Sequence, residues 1–287
     1  MPIHLDKVEF YITNVCNLTC DNCNRFNNYN FRGWQSWDDY ADIYARWAEL
    51  IKIKQIVILG GEPLLNPTLV NWIKGMEGFD SGSVQILTNG TRLNSVRGLY
   101  DTVRDIRKVR SWIGVSIHNI NEIDLIIAEV EKFLQAPITK TVGRGNTEFG
   151  SDYSFTDANR VRIDFYIQNE FTTGALINKN GRNTLHNSDP NIAHSACTFV
   201  QNKNYHFIHG KLYKCGPVAL FPEFDEQFDL DISDKDRVLL NSYRPLTLEN
   251  FDEYHEEFFR DLDNVIPQCK FCPETHKYRI IHPILKK

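Results

Sequence analysis

Strand-like runs at 8–13, 55–59, 83–88 and 112–118 are separated by helical periods, and this alternation constrains the fold more than any other feature of the chain. Strands joined through helices pair in parallel, because a crossover long enough to hold a helix carries the chain back to the starting end of the sheet. The helix between the first two strands opens at a capping-box-like Ser36-Trp37-Asp38-Asp39 and then sets Tyr40, Ala41, Tyr44, Trp47, Ala48 and Ile51 at helical spacing. Those aromatics read as the inner face of a covering helix. Further helical periods fill 67–76, 95–108 and 121–134. A fifth strand at 160–168 alternates Val161, Ile163, Phe165 and Ile167 with polar neighbours, and a sixth is expected within 171–177. The expected class is α/β.

A hydrophobic fraction of 42% with 24% charged residues supports a packed core and excludes a disordered or repetitive chain. No apolar run reaches the roughly 18 residues of a membrane helix, and the charged start is unlike a signal peptide. A cytoplasmic protein with no membrane partner is therefore expected. Thirty-two basic against 37 acidic residues leave a net charge of −5, which gives no global reason to bind nucleic acid. Arg104, Arg107, Lys108 and Arg110 read as an outward helical face rather than an RNA patch. The Gly-, Ser- and Thr-containing stretch 136–157 reads as a long loop of the kind used as a lid.

Seven cysteines without an export signal point to metal binding or reactivity rather than disulfides. Cys16, Cys20 and Cys23 form C-x3-C-x2-C directly after the first strand. Three thiolates on one loop can converge on one centre. A structural zinc site usually closes with four ligands, whereas an iron–sulfur cluster held by three leaves one iron open. The open-iron reading suits the triplet; part of a zinc site, or simply small buried residues, are the other readings.

With Gly60-Gly61-Glu62-Pro63 after the second strand, the triplet resembles the signature of the radical S-adenosylmethionine (radical SAM) enzymes. Two glycines let a backbone turn sharply and approach a ligand; read alone, the same four residues are an ordinary strand-to-helix turn. Thr88-Asn89-Gly90 ends the third strand and Ser116 lies near the end of the fourth, again resembling the family. The resemblance implies a partial (β/α)6 TIM-like barrel in which Cys16, Cys20 and Cys23 hold a SAM-binding 4Fe-4S cluster. It also implies that Gly60, Gly61, Glu62, Asn89 and Ser116 contact S-adenosyl-L-methionine. One departure stands out: Asn22 occupies the position before the third cysteine, where family members often place an aromatic beside the adenine.

The remaining cysteines, Cys197, Cys215, Cys269 and Cys272, read C-x12-G-x4-C followed by C-x2-C, with a hairpin turning near His209-Gly210 and a helix over 248–261. Four thiolates fill a four-cysteine zinc site or close every external position of a second 4Fe-4S cluster. The spacing resembles the twitch or SPASM-like auxiliary-cluster segment of radical SAM enzymes, which implies a core at 1–190 and a small cluster domain at 191–287. His206 and His209 read as hairpin residues rather than ligands.

The implied activity is reductive cleavage of SAM to a 5′-deoxyadenosyl radical that takes hydrogen from a substrate, with electrons from a reductant such as flavodoxin or ferredoxin. A small polar metabolite, oxidised by two electrons with help from the second cluster, is the first expectation for the substrate. A peptide is the second, because the chain begins close to the first strand and leaves no room there for a leader-binding domain. A non-catalytic iron–sulfur or zinc protein is the reading from another class.

Overall fold

The computed structural model describes residues 2–20, 22–29, 31–106, 108–138, 153–168, 170–171, 176–201, 203–275, 279–280 and 284–285. Its main sheet contains β1 (Ile3–Tyr11), β2 (Ile51–Leu59), β3 (Ser83–Thr88), β4 (Arg110–Ile117), β5 (Tyr153–Thr156), β6 (Arg162–Ile167), β7 (Tyr205–Ile208) and β8 (Lys211–Tyr213). The spatial order is β8-β7-β1-β2-β3-β4-β6-β5. Six neighbouring strands, β7 to β6 in that order, run parallel, while β5 and β8 close the two edges antiparallel.

Four covering helices, α1 (Trp37–Leu50), α2 (Leu69–Gly75), α3 (Leu99–Asp105) and α4 (Ile123–Leu134), occupy the expected crossovers. Tyr44, Trp47 and Ala48 of α1 are buried in the larger apolar core with Phe10, Ile56, Trp72 and Phe207. Burial drives the placement, because these side chains remove large apolar areas from water. Trp47 also donates its indole N–H to the Gly210 carbonyl at 2.8 Å, which ties α1 to the β7–β8 turn. Ser36 precedes α1 but its hydroxyl makes no capping bond; Thr68 Oγ1 accepts from the Trp37 amide instead.

Helices α5 (Pro190–Ser195) and α6 (Thr198–Gln201) precede α7 (Gly216–Phe228) in the chain. A second apolar cluster covers the opposite face of the sheet. There Tyr11, Val57 and Leu59 meet Phe26 and Phe31 of the cysteine loop and Ala219, Leu220, Phe221 and Phe224 of α7 (Gly216–Phe228). Ring contacts of Phe224 with Phe26, Tyr29 and Phe31 fasten that loop to α7.

Three expectations change. The 171–177 stretch adds no strand to the main sheet among the described residues: Glu170–Phe171 pairs with Arg279–Ile280, Leu176–Lys179 forms a hairpin with Arg182–Leu185, and residues 172–175 lie outside the description. The sixth parallel strand is β7, paired with β1 and not with β6. The hairpin assigned to 191–287 therefore extends the sheet of 1–190, and its turn at His209 and Gly210 has φ values of 51° and 71°, the left-handed pair a two-residue turn needs. The lid reading of 136–157 falls mostly on residues outside the description, and its last part is β5.

Helices at Thr198–Gln201, Gly216–Phe228 and Asp234–Asn241 were not expected. Asp189 caps Pro190–Ser195 by accepting from the amides of Asn191 and Ile192. No helix among the described residues is long and apolar enough to cross a membrane.

Candidate functional site

Parallel strands leave their following loops at one end of the sheet, and ligands bind there in open α/β folds. The loop after β1 carries Cys16, Cys20 and Cys23; the turn after β2 carries Gly60 and Gly61; β3 ends at Thr88, followed by Asn89; Ser116 lies near the end of β4. All of these residues, though not the adjacent Glu62, line one cavity of about 300 Å³, together with Glu9, Arg25, His118, Gln168, Phe199 and Asn204. That volume stands at the lower end of the roughly 300–1,000 Å³ typical of small-molecule sites.

Hydrogen bonds hold the loops after β1, β2 and β3 in register. The Gly61 amide donates to the Thr13 carbonyl at 2.7 Å and the Glu62 amide to the Val15 carbonyl at 2.8 Å. Both glycines are packed so tightly on the cysteine loop that a Cβ on Gly60 would lie 2.5 Å from Thr13 O, and one on Gly61 2.3 Å from Val15 O. Close backbone approach requires glycine at both positions. Asn89 donates from Nδ2 to Asn17 Oδ1 at 2.9 Å, and Asn17 in turn donates to Thr91 Oγ1 at 2.8 Å. The residue after Cys16 is thus tied to the turn after β3.

Glu62 stands behind the cavity wall. Its carboxylate is buried and accepts from Thr88 Oγ1 at 2.6 Å, the Asn89 amide at 2.8 Å and the Leu64 amide at 3.0 Å. It therefore joins the turns after β2 and β3. Burial raises its pKa to about 7 against the lowering effect of those three bonds. A folded-state pKa above the usual 4.5 means stability that is fully present below pH 4.5 and lost as pH rises through 7. The loss amounts to about 3 kcal/mol. Urea denaturation between pH 4.5 and 8 is expected to show the wild type losing stability relative to Glu62→Gln, whose amide does not titrate. Parallel curves for the two proteins would remove Glu62 from the pH response.

At the floor of the cavity, Glu9 of β1 stands opposite His206 of β7 in the strand register. Glu9 Oε2 lies 2.7 Å from His206 Nε2 and accepts from Arg25 Nη2 at 2.6 Å. Burial alone would raise the Glu9 pKa, but His206 and Arg25 together hold it well below the usual carboxylate range. Burial lowers the pKa of His118, which sits beside the Gln168 carbonyl. None of Glu9, Arg25, His118 and His206 stood out in the sequence as a site residue.

A second cavity is lined by Cys197, Cys215, Cys269 and Cys272 with His194, Lys214, Pro217 and Val218. The hairpin delivers Cys215, the first turn of α7 follows it, and the 3-10 helix Pro267–Phe271 presents Cys269. Burial pushes the Cys215 thiol up to about 12, and burial and the neighbouring thiols raise Cys272 as well. Such thiols stay neutral until a bound cation compensates them. Lys214 donates from Nζ to the carbonyls of Leu262, at 2.7 Å, and Asn264. Among the described residues no group of three or more His, Cys, Asp or Glu is arranged to hold a single metal ion.

The donor chemistry of the first cavity fits a three-thiolate cluster with a bound small molecule. The thiols face one space with the loop ends, the Leu18 amide donates to Cys16 Sγ at 3.4 Å, and Asn27 Nδ2 donates to Cys23 Sγ at 3.6 Å. Bonds of that kind to cluster sulfurs are among the protein's means of setting a potential.

Residues 10–146 match the radical SAM superfamily, a stretch that runs from β1 through α4 and contains the triplet, Gly60, Gly61, Glu62, Asn89 and Ser116. Among solved structures, Streptococcus suis SuiB bound to its precursor peptide SuiA aligns at 17% identity and a TM-score of 0.38, covering 46% of this chain and 31% of SuiB. SuiB bound to S-adenosylmethionine gives a TM-score of 0.37 at the same identity. The protein anSMEcpe, solved with AdoMet and the Cp18Cys peptide, aligns at 17% identity and 0.33, covering 47% of this chain and 40% of that one. The chain therefore spans less than half the length of each of these structures. No curated protein sequence matches it.

Proposed function

We propose that the protein is a radical SAM enzyme in which Cys16, Cys20 and Cys23 bind a 4Fe-4S cluster and the loop ends after β2, β3 and β4 bind S-adenosyl-L-methionine. The observation that carries this reading is the convergence of three thiols, Gly60, Gly61, Asn89 and Ser116 on one cavity within the stretch that matches the radical SAM superfamily. A cluster held by Cys16, Cys20 and Cys23 would supply the electron for reductive cleavage of S-adenosylmethionine and so the chemistry of hydrogen abstraction from a substrate. The chain's own part is to hold and shield. Gly60 and Gly61 keep the cysteine loop against the sheet, Asn17, Asn89 and Thr91 fix its far side, and Leu59, Leu87 and Phe199 give the cavity apolar walls.

The six parallel strands support an open partial barrel, with residues 1–190 as its core and 191–287 as a cluster-bearing unit that shares its sheet. We read the four-cysteine cavity as the site of an auxiliary 4Fe-4S cluster. The floor of the first cavity, with Glu9, Ser116, His118, Gln168 and Asn204, suits a polar group. The substrate in our reading is a small polar metabolite that undergoes two-electron dehydrogenation; the same polar floor also suits the side chain of a peptide substrate.

Anaerobic reconstitution, iron and zinc analysis, and detection of 5′-deoxyadenosine test the proposal. About eight irons per chain and reductant-dependent 5′-deoxyadenosine are expected. Stoichiometric zinc with little iron, in protein never exposed to oxygen, would support the non-catalytic reading. Replacing Cys269 and Cys272 with Ala is expected to remove the second cluster while 5′-deoxyadenosine still forms with an artificial reductant and substrate oxidation stops. Normal product yield from a folded variant lacking that cluster would remove its role as electron acceptor.

A further inference from the structure

The two cysteine-lined cavities share a wall. Asn24, Thr198 and Phe199 line both of them, and Arg25 lines the first cavity beside Phe199. Its guanidinium lies between two rings, with Cζ 5.5 Å from the Phe199 centroid and 5.9 Å from that of Tyr11. One end is satisfied, because Nη2 donates to Glu9 Oε2 at 2.6 Å. The other end, Nη1, is buried and has no hydrogen-bond partner among the described residues.

The direction of that second end is fixed by Gly216. A Cβ there would lie 2.1 Å from Arg25 Nη1 and 2.8 Å from His206 Nε2. Gly216 follows Cys215 directly and opens α7, so the cationic Nη1 end of Arg25 packs against the backbone next to one of the four cysteines. A buried cation is costly unless opposite charge compensates it. Glu9 is shared with His206 and covers one face only. Lys214 lines the four-cysteine cavity itself, and its ammonium is anchored on the carbonyls of Leu262 and Asn264.

We propose that Arg25, braced by Glu9 and His206, is a positioning residue that sets the electrostatic potential at the four-cysteine site across the shared wall and raises the reduction potential of the cluster held there. The inference rests on the auxiliary-cluster reading above. Reduction adds negative charge to a thiolate-bound cluster, and a nearby buried cation favours the more negative state. Glu9 acts in the opposite sense through the same contact.

The test is an EPR-monitored redox titration of the full-length, anaerobically reconstituted protein, following the cluster whose signal S-adenosylmethionine does not alter. Arg25→Gln is expected to lower its midpoint potential, Glu9→Gln to raise it, and Arg25→Lys to restore most of the wild-type value. A purely structural role moves both glutamine variants in one direction, because each admits solvent to the same wall. Shifts of the same sign, or no shift in either variant at wild-type iron content, would overturn the proposal. If Arg25→Gln does not fold, Glu9→Gln decides alone, and absence of a rise overturns it. Failure of the underlying reading is seen separately: wild-type protein that holds zinc, or no second cluster, removes the auxiliary cluster and this inference together before any variant is made.

Discussion

Replacing Cys16, Cys20 and Cys23 together with Ala is expected to abolish S-adenosylmethionine cleavage while leaving about four irons per chain. The expectation follows from the separation of the two thiol sets. The triplet lines the cavity at the strand ends with Gly60, Gly61, Asn89 and Ser116, whereas Cys197, Cys215, Cys269 and Cys272 line the other side of the wall. The loop itself does not depend on the thiols alone. Phe26 and Phe31 are buried against α7, the Asn14 amide donates to the Gly33 carbonyl at 2.8 Å, and Asn17 is held by Asn89 and Thr91. The triple variant should therefore stay folded, and a far-ultraviolet spectrum with an iron count checks this before the assay. Retained 5′-deoxyadenosine formation in a variant with four irons would move the reactive cluster to the other cysteine set.

Much of this arrangement was legible in the sequence because it is local. Strands at 55–59, 83–88 and 112–118 are rich in Val and Ile, and the parallel sheet follows from the helices between them. The first two strands begin earlier than expected, at Ile3 and Ile51, because Asp6 and Lys7, and Lys52 and Lys54, interrupt the apolar run where it nears the sheet's other end. Helix α7 was invisible for a different reason. It is buried on most sides, from Gly216 to Phe221 and again at Phe224 and Asp225, so it shows no amphipathic period, and Pro222 inside it reads as a breaker. The sixth parallel strand was misplaced because β7 is only four residues long and resembles any hairpin strand.

What sequence spacing could not supply was the set of long-range charge contacts. Glu9 is a lone carboxylate inside the run Val8–Ile12, which is a visible oddity, but its partners Arg25 and His206 are brought to it by the loop after β1 and by β7. Glu62 shows the converse. Its place in Gly60-Gly61-Glu62-Pro63 implied a contact with S-adenosylmethionine, whereas its three hydrogen bonds are spent on Thr88, Asn89 and Leu64.

Gly61→Val is expected to lose the triplet's cluster, and even Gly61→Ala is expected to do so in large part. From sequence alone the glycines serve to present backbone groups to S-adenosylmethionine, and a variant should then bind it weakly with both clusters intact. The structure changes that expectation. The Gly61 N–H is already donated to the Thr13 carbonyl, and the obstruction met by a Cβ is backbone: Val15 O at 2.3 Å and Val15 C at 2.6 Å, with Asn27 Oδ1 at 2.8 Å. Backbone cannot swing aside as a side-chain tip can, so the segment leading to Cys16 must move away from the sheet. Overpacking of this kind costs about 1–3 kcal/mol in stability. The larger effect falls on the cluster, because three thiols converge only while that loop is seated. Gly78→Ala serves as the control, since its Cβ would meet nothing closer than Ala48 Cβ at 4.0 Å. Iron content and S-adenosylmethionine affinity, measured together, separate the two roles. A Gly61→Ala protein with full iron and weakened affinity would return the glycine to ligand presentation, while loss of about four irons assigns it to holding the cysteine loop against the sheet.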